Sequence, residues 1–190
     1  MLALATFNSC TKETFEKSNM PLTTTGSLNA TALTTSYYVG QNYGGGIVFY
    51  VDGTGKHGLI AATSDQGYKW WGDRYYFLTG ATGTAVGTGA ENTRKIITVQ
   101  GSKYDYAALL CSKYRGGGFA DWFLPSKDEL YLLYKQKSVV GGFIRGGYWS
   151  SSEYVTQFDH TLAWQKYFYN DLATLTHKDR YDGIRAIRAF

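Results

Sequence analysis

The middle of this chain contains a strong helix stop followed closely by a strong helix start. Residues 104–114 carry apolar side chains at helical spacing, and Arg115-Gly-Gly-Gly118 ends that helix. Pro125 and the capping-box pattern Ser126-Lys-Asp-Glu129 then open a second helix. Two short helices with such firm ends leave the other apolar segments to be strands, which predicts an α+β fold.

Candidate strands lie on both sides of these helices. Before them, residues 46–51 and 57–63 are rich in β-branched and aromatic side chains, and the turn cluster 52–55 joins them, which predicts a hairpin. Residues 79–89 read as loop, and residues 91–100 suit either a strand or the start of a helix. After the second helix, three short segments are predicted as strands: 148–151, 162–169 and 184–190.

The aromatic content favours a binding protein. The 190 residues include 17 Tyr, 5 Trp and 10 Phe. Some of these fill a β-rich core, but so many Tyr hydroxyls prefer a wet edge, and binding surfaces favour Tyr and Trp. The formal net charge of +4 comes from scattered Lys and Arg, without the basic run that follows a phosphate backbone. We therefore expect no nucleic-acid partner.

The N-terminus resembles the end of a bacterial lipoprotein signal. Residues 1–10 are apolar, then small, and end in Cys10, and the run Phe7-Asn-Ser-Cys-Thr-Lys-Glu13 resembles lipoproteins of Bacteroidetes. The short apolar stretch lacks a positively charged start, which leaves two alternatives: an upstream start, which we favour, or an accidental match. We expect an exported outer-membrane or cell-surface lipoprotein, lipidated at Cys10 and touching the membrane only through that anchor. A phage particle is the other location considered.

Residues 11–36 are rich in Thr, Ser, Asn and Lys without apolar periodicity, and they are predicted as a flexible tether. The folded domain is then expected over residues 37–190.

The residues that could carry reaction chemistry do not form a catalytic or metal-binding pattern. His57, His160 and His177 make no metal-site spacing, and no nucleophile elbow is present. Asp159-His160 could be a base with its orienting group, although a solvated loop is the simpler interpretation. Cys111 is expected to be a buried thiol, with a bond to Cys10 left open. We therefore expect no enzyme activity and no cofactor; a structural calcium ion stays open, although no carboxylate cage is evident.

Several segments, in one order, resemble the domain at the C-terminus of the Legionella collagen-like adhesin, a domain of unknown function. They are residues 45–60, 82–93 and 114–118, Asp121-Trp-Phe-Leu-Pro-Ser-Lys-Asp-Glu-Leu130, Tyr148-Trp-Ser-Ser-Ser-Glu153, Ala163-Trp164 and Ile184-Arg-Ala-Ile-Arg-Ala-Phe190. The resemblance covers roughly residues 37–190. It implies a C-type-lectin-like fold related to the formylglycine-generating enzyme. That enzyme depends on a cysteine pair, whereas Cys111 stands alone in this domain, so its activity is not expected here.

The C-terminal segment, residues 148–190, also resembles the variable proteins of diversity-generating retroelements of Bacteroidetes type. In those proteins, adenine-directed mutagenesis rewrites codons for residues that line a ligand-binding face. The resemblance implies that Trp149, Trp164, Phe168, Ile184, Ile187 and Phe190 are framework. It implies a ligand-binding role for Tyr154, Val155, Thr156, Phe158, Asp159, His160, Thr161, Tyr167, Tyr169, Asp171, Leu172, Thr174, Leu175, His177, Asp179, Arg180, Tyr181 and Asp182.

The genetic code allows a weak test of this idea. Randomising the adenines of an AAC codon yields Tyr, Phe, Asp, His, Leu, Thr, Val, Ala, Gly or Arg, but never Lys, Gln, Glu, Met or Trp. Most of residues 154–183 comply, and the exceptions are Gln157, Trp164, Gln165, Lys166 and Lys178. An ordinary surface segment would contain about as many exceptions, so the sequence leaves the question open. The mixture of aromatic and adaptable polar residues is nevertheless typical of a paratope.

Three hypotheses follow. The first is a variable protein whose C-terminal face binds a protein or glycan ligand on another cell or on a phage host. The second is a fixed lipoprotein adhesin that binds glycans or sulfated polysaccharide. The third, which we rank last, is an enzyme of unrecognised type.

Overall fold

The computed structural model of the protein describes residues 36–72 and 76–190. The predicted signal-like segment 1–10, the lipidation residue Cys10 and almost all of the predicted tether 11–36 lie outside these residues.

The described residues form a mixed α+β structure. The helices are α1 (Gly89–Gln100), α2 (Ala107–Lys113), α3 (Lys127–Lys135) and α4 (Lys137–Val140). The strands are β1 (Asn42–Tyr43), β2 (Gly46–Val51), β3 (Gly58–Ala61), β4 (Gly67–Lys69), β5 (Gly147–Tyr154), β6 (Leu162–Tyr167), β7 (Ala173–His177), β8 (Asp182–Ile184) and β9 (Ile187–Ala189).

The strands form two sheets. One has the order β1-β2-β3-β9 and the other has the order β4-β8-β5-β6-β7. Neighbouring strands are antiparallel except for the short parallel pairing of β5 with β8. The predicted hairpin is confirmed as β2 and β3, in which Ile47 lies opposite Ala61 and Val51 opposite Gly58.

The last predicted strand, residues 184–190, is wrong as a single element. It is divided between β8 in the second sheet and β9 in the first, because Arg185 and Ala186 carry the chain from one sheet to the other. The buried Arg185 guanidinium holds this crossing, since it donates to Asp65 Oδ1 at 2.7 Å and to the Gly142 carbonyl at 2.7 Å.

The helices follow their local signals. The capping box is present, because Ser126 Oγ accepts from the Glu129 N–H at 3.3 Å and Glu129 Oε2 accepts from the Ser126 N–H at 2.7 Å. Residues 91–100, ambiguous in sequence, belong to α1, whose buried face includes Asn92, Thr93 and Ile96 at helical spacing. The helix expected over 104–114 is shorter and begins at Ala107.

Buried tryptophans lock β5 into the centre of the domain. Trp149 is buried in the core and its indole N–H donates to the Lys69 carbonyl at 3.0 Å. Trp71 is also buried and donates to the Ser150 carbonyl at 2.7 Å. Because both indole N–H groups are satisfied, these large side chains are buried without leaving an unpaired donor. Strand β5 therefore gives the hairpin β6–β7 a rigid neighbour.

Candidate binding face

Most of the predicted ligand-binding residues lie on the hairpin β6–β7 and on the loops at its two ends, whereas Tyr154 ends β5 and Asp182 begins β8. Leu162 lies opposite His177, and Lys166 lies opposite Ala173. Loop 155–161 and turn 178–181 therefore meet at one end of the hairpin, which we call the near end. Turn 168–172 lies at the other end, the far end. The structure brings Phe158, Asp159, His160, Asp179 and Arg180 to the near end and Tyr169, Asp171 and Leu172 to the far end.

The strand residues among the predictions divide between the two sides of the hairpin. Leu175 lies opposite Trp164, whose ring packs beside α3, so Leu175 faces the same side as that helix. Thr174 lies opposite Gln165 and faces the other side, together with Tyr167. The predicted residues therefore surround the hairpin rather than forming one flat patch.

The near-end loop is held by its own hydrogen bonds. The Thr156 N–H donates to the Asp159 carbonyl at 2.8 Å, and the Asp159 N–H donates to Thr156 Oγ1 at 2.9 Å. These bonds fix the loop around Phe158, which lies at its tip and is 89% exposed. Such an exposed, pre-organised aromatic side chain can bury a large area against a partner at low entropic cost.

The Asp159 carboxylate accepts hydrogen bonds from within its own loop. It accepts from both the N–H and the hydroxyl of Thr161 at 2.7 Å, and these bonds lower the pKa of Asp159. Thr161 Oγ1 also lies 3.3 Å from Nδ1 of His177. The alternative in which Asp159 orients His160 as a base is therefore not favoured by this geometry.

A buried ion pair lies beneath the near end. Glu153 and Lys178 are buried, and Lys178 Nζ donates to Glu153 Oε1 at 2.5 Å. The same carboxylate accepts from the Thr79 N–H, the Thr79 hydroxyl and the Gly80 N–H at 2.9–3.2 Å. The ion pair thus has the additional hydrogen bonds that a buried carboxylate requires.

Lys178 also holds the loop residues in place. Its Nζ donates to the His160 carbonyl at 2.5 Å and to the Phe77 carbonyl at 3.1 Å, and it lies 4.8 Å from the ring centre of Trp71. Burial lowers the pKa of Lys178, and the hydrogen bond to Glu153 opposes that shift. The ammonium therefore joins three separate segments of the chain at one point.

Lys166 has the corresponding position at the far end. It is only 4% exposed, and its Nζ donates to the carbonyl of Asp171 at 2.7 Å and to its carboxylate. Asp171 has a φ of 55°, in the left-handed region, where an aspartate is among the better tolerated residues. The buried ammonium thus orders a turn in which Tyr169 and Leu172 are exposed and Phe168 is buried.

Residues outside the C-terminal segment also contact this binding face, which the sequence did not predict. The ring of Tyr181 lies 4.7 Å from that of Trp70 and 6.1 Å from that of Tyr68. Asp179 accepts a hydrogen bond from Tyr76, which raises the pKa of that phenol. The Gly- and Tyr-rich stretch around Trp70 was visible in the sequence, but its contact with Tyr181 depends on the pairing of β4 with β8.

Asp182 and Gln165 are two buried polar residues on the side of the hairpin away from α3. Asp182 is 7% exposed, and burial raises its pKa to about 6. The Oε1 atom of the buried Gln165 accepts no hydrogen bond from the described residues. Asp182, predicted as a ligand-binding residue, is therefore largely withdrawn from the surface.

The remaining candidates for chemistry do not assemble into a site. Cys111 is a free, buried thiol whose pKa burial raises, which confirms its expected place in the core. Among residues 36–72 and 76–190, no three His, Cys, Asp or Glu side chains are grouped so that they could hold a metal ion.

None of the described helices has the length and hydropathy needed to cross a bilayer. In comparisons with known proteins, no family model and no curated protein matches this chain.

Proposed function

We propose that residues 37–190 form a C-type-lectin-like binding module without catalytic activity. In this proposal the chain is the variable protein of a diversity-generating retroelement of Bacteroidetes type, displayed on a surface through a lipid at Cys10. Its ligand is a protein or glycan on another cell or phage host. The near end, the far end and the exposed strand positions between them carry the diversified residues.

One observation carries this proposal: the residues that a randomised AAC codon cannot encode are mostly withdrawn from the surface. Gln165, Lys166 and Lys178 are 2%, 4% and 1% exposed, and Trp164 is half-buried. Lys and Gln are normally among the most exposed residues in proteins. In an ordinary surface segment, the Lys and Gln side chains would be the first expected at the surface. Of the Lys and Gln residues in this segment, only Gln157 is exposed.

The residues that the codon can encode have the opposite distribution. Val155, Phe158, His160, Leu172 and Tyr181 are exposed, although Val, Phe and Leu are apolar residues that usually occupy a core. A diversified position must be accessible to a ligand and dispensable for folding. A buried lysine that holds a loop meets neither condition, so mutagenesis has to spare it.

The scaffold beneath these residues supports the same proposal. Lys178 and Lys166 hold the two ends of the hairpin through bonds to the backbone of His160 and Asp171. These bonds to carbonyl oxygens do not depend on which side chain the residue carries, and only the additional bond from Lys166 to the Asp171 carboxylate does. The ends can therefore keep their backbone course while their side chains change, as a diversified binding face requires.

The decisive experiment is sequencing of the DNA around the gene. The proposal expects a repeat of the codons for residues 148–190 that differs only where the repeat has adenine, close to a reverse-transcriptase gene. It further expects the differing codons to include those of Phe158, His160 and Tyr181 and to omit those of Lys166 and Lys178. A repeat that is absent, or that rewrites the lysine codons, would remove diversification from the proposal.

A second candidate function is a fixed lipoprotein adhesin that binds glycans or sulfated polysaccharide. It is favoured by four lysines that surround the aromatic side chains between α3, α4 and β6, namely Lys127, Lys135, Lys137 and Lys166. Binding to an anionic glycan that weakens as salt is raised, in a gene without the repeat, would select this function.

A further inference from the structure

A cleft of about 220 Å³ lies between α3 and the hairpin. Its walls include Tyr131 of α3 and Trp164 of β6, and Leu130 and Ala173 contribute apolar surface to its lining. Tyr131 is 44% exposed, so part of its ring is available to a ligand. The volume is on the order of one sugar ring or one large side chain, smaller than a drug-sized pocket.

The lysines around this cleft are unequally satisfied. Lys166 is neutralised by Asp171, and Lys137 Nζ donates to the Phe168 carbonyl at 2.7 Å. Lys127 Nζ lies 4.1 Å from the ring centre of Trp164, and Lys135 Nζ lies 5.8 Å from that of Tyr131. Within residues 36–72 and 76–190, neither Lys127 nor Lys135 pairs with a carboxylate.

The cleft also has an acidic group at its rim. Asp128 contributes to the lining, is exposed, and forms no ion pair with the described part of the chain. Its charge opposes that of Lys127, its neighbour in sequence. Counting the Lys166–Asp171 pair as neutral, Lys127 and Lys135 outweigh this single carboxylate, which leaves the site with an excess of positive charge.

We infer that this cleft binds an acidic sugar residue, a pyranose that carries a carboxylate or a sulfate. The apolar C–H face of the ring would pack against Tyr131 and Trp164, and the acidic group would pair with Lys127 or Lys135. A bare inorganic anion would leave the aromatic walls unused, and a neutral sugar would leave the two ammonium groups unpaired. The inference rests on the proposal that the domain is a binding module, and it does not depend on diversification.

The site uses different residues from the proposed diversified face. Lys127, Tyr131 and Lys135 belong to α3, and Trp164 is one of the residues that a randomised AAC codon cannot encode. A chain with this site would therefore keep one constant ligand while its loops change. Such a constant site would hold the molecule against an acidic glycan coat and leave the two ends of the hairpin to select the variable ligand.

The test is calorimetric titration of the full chain with matched pairs of probes. One pair is an oligogalacturonate and its methyl ester, and the other is a dextran sulfate and dextran of the same length. The esters and the plain dextran have the same rings without the charge. We expect at least one charged probe to bind and its uncharged partner to bind at least about tenfold more weakly, the loss of one charge-assisted pair.

Three variants assign the binding to the cleft. Lys127→Met and Tyr131→Ala are each expected to weaken the charged probe by about five- to tenfold, and Asp128→Asn to strengthen it by about twofold. Lys56→Met is the control, because it removes the same charge from the exposed end of the hairpin β2–β3. It should change the affinity by less than about twofold. Thermal unfolding of each variant verifies that it remains folded.

Three results would overturn the inference. The first is that the wild-type chain binds neither charged probe. The second is that Lys56→Met weakens binding as much as Lys127→Met does, which would indicate attraction to net charge alone. The third is that a folded Tyr131→Ala variant binds the charged probe with unchanged affinity. These results leave the proposed diversification intact, since its test is the DNA repeat. Conversely, a missing repeat leaves this site unaffected.

Discussion

Lys178 is the residue on which the near end of the hairpin depends. It joins Glu153, the His160 carbonyl and the Phe77 carbonyl in a region from which water is largely excluded. Removing one member of a buried ion pair leaves the other charged and unpaired. We therefore expect Lys178→Met to lower the free energy of unfolding by about 3–5 kcal/mol in urea denaturation.

An exposed lysine provides the control for this prediction. Lys113 pairs with Asp105 at 2.9 Å, but both side chains are at least half exposed. Lys113→Met should cost less than about 1 kcal/mol. Equal losses in the two variants would show that the buried pair contributes no more than a surface pair.

Asp182 gives the protein a pH dependence of known sign. Its folded-state pKa is raised to about 6, whereas an unfolded aspartate titrates near ~3.9. The folded state therefore favours the neutral carboxyl, so this group's contribution to stability is fully present below about pH 4 and is lost as the pH rises through about 6.

The Asp182→Asn variant isolates this effect, because its amide stays neutral. We compare the free energy of unfolding of the variant with that of the wild-type protein. Above about pH 6 this difference should favour the variant by on the order of 2 kcal/mol more than it does at pH 4. Urea denaturation of both proteins across this range measures that difference. A difference that stays constant with pH would contradict the assignment of the shift to Asp182.

At the scale of elements, the start of α3 connects the helix to the preceding loop. Ser126 Oγ caps the helix and also donates to the Ala85 carbonyl at 2.9 Å. Ser126→Ala removes both bonds in a buried position and is expected to cost about 1–3 kcal/mol of unfolding free energy, measured by urea denaturation. Ser138→Ala, at an exposed position of α4, should change it by less than about 0.5 kcal/mol.

The crossing from β8 to β9 depends on the shape of the Arg185 guanidinium. Its three nitrogens donate to Asp65, Ala62, Gly141 and Gly142, a planar set of bonds that an ammonium cannot reproduce. We expect Arg185→Lys to lower the free energy of unfolding by about 2–4 kcal/mol, measured from the shift in the midpoint of thermal unfolding.

Arg188→Lys is the matched control for that change. Arg188 binds Asp121 in a bidentate pair at 2.8 Å, but the Asp121 side chain is 57% exposed. Water can replace part of this interaction, so the expected loss is about 1 kcal/mol. If both substitutions cost the same, the fork of bonds at the crossing is not what holds the two sheets together.

For the whole molecule, the proposal divides the C-terminal segment into tolerant and intolerant positions. Phe158→Ser and His160→Ala should each change the unfolding free energy by less than about 0.5 kcal/mol, because these side chains are exposed. Trp149→Ala, in the core, should cost about 3–5 kcal/mol. A display library randomised over 154–182 measures the pattern; enrichment of Lys at position 166 and no residue preference at position 158 would agree with it.

Much of the local structure could be predicted from the sequence. The Pro125 and Ser126 signals located the start of α3 because capping depends on neighbours within a single turn. The hairpin β2–β3 was predicted for the same reason, since its turn residues lie between two apolar runs. Strand β7 was not predicted, because Ala173-Thr-Leu-Thr-His177 is only half-buried at the edge of its sheet and carries no strong apolar alternation.

By itself, the sequence determined the α+β class, the helix boundaries near the two glycine and proline signals, and the aromatic character of the C-terminal segment, because these follow from short-range chemistry. Only the tertiary structure decided which polar residues are buried. Lys166 and Lys178 resemble surface residues until the strands pair and bury their ammonium groups, that of Lys166 on the Asp171 carbonyl and that of Lys178 on the carbonyls of His160 and Phe77. The cleft beside Tyr131 has the same origin, since α3 and β6 meet only when the whole domain has folded.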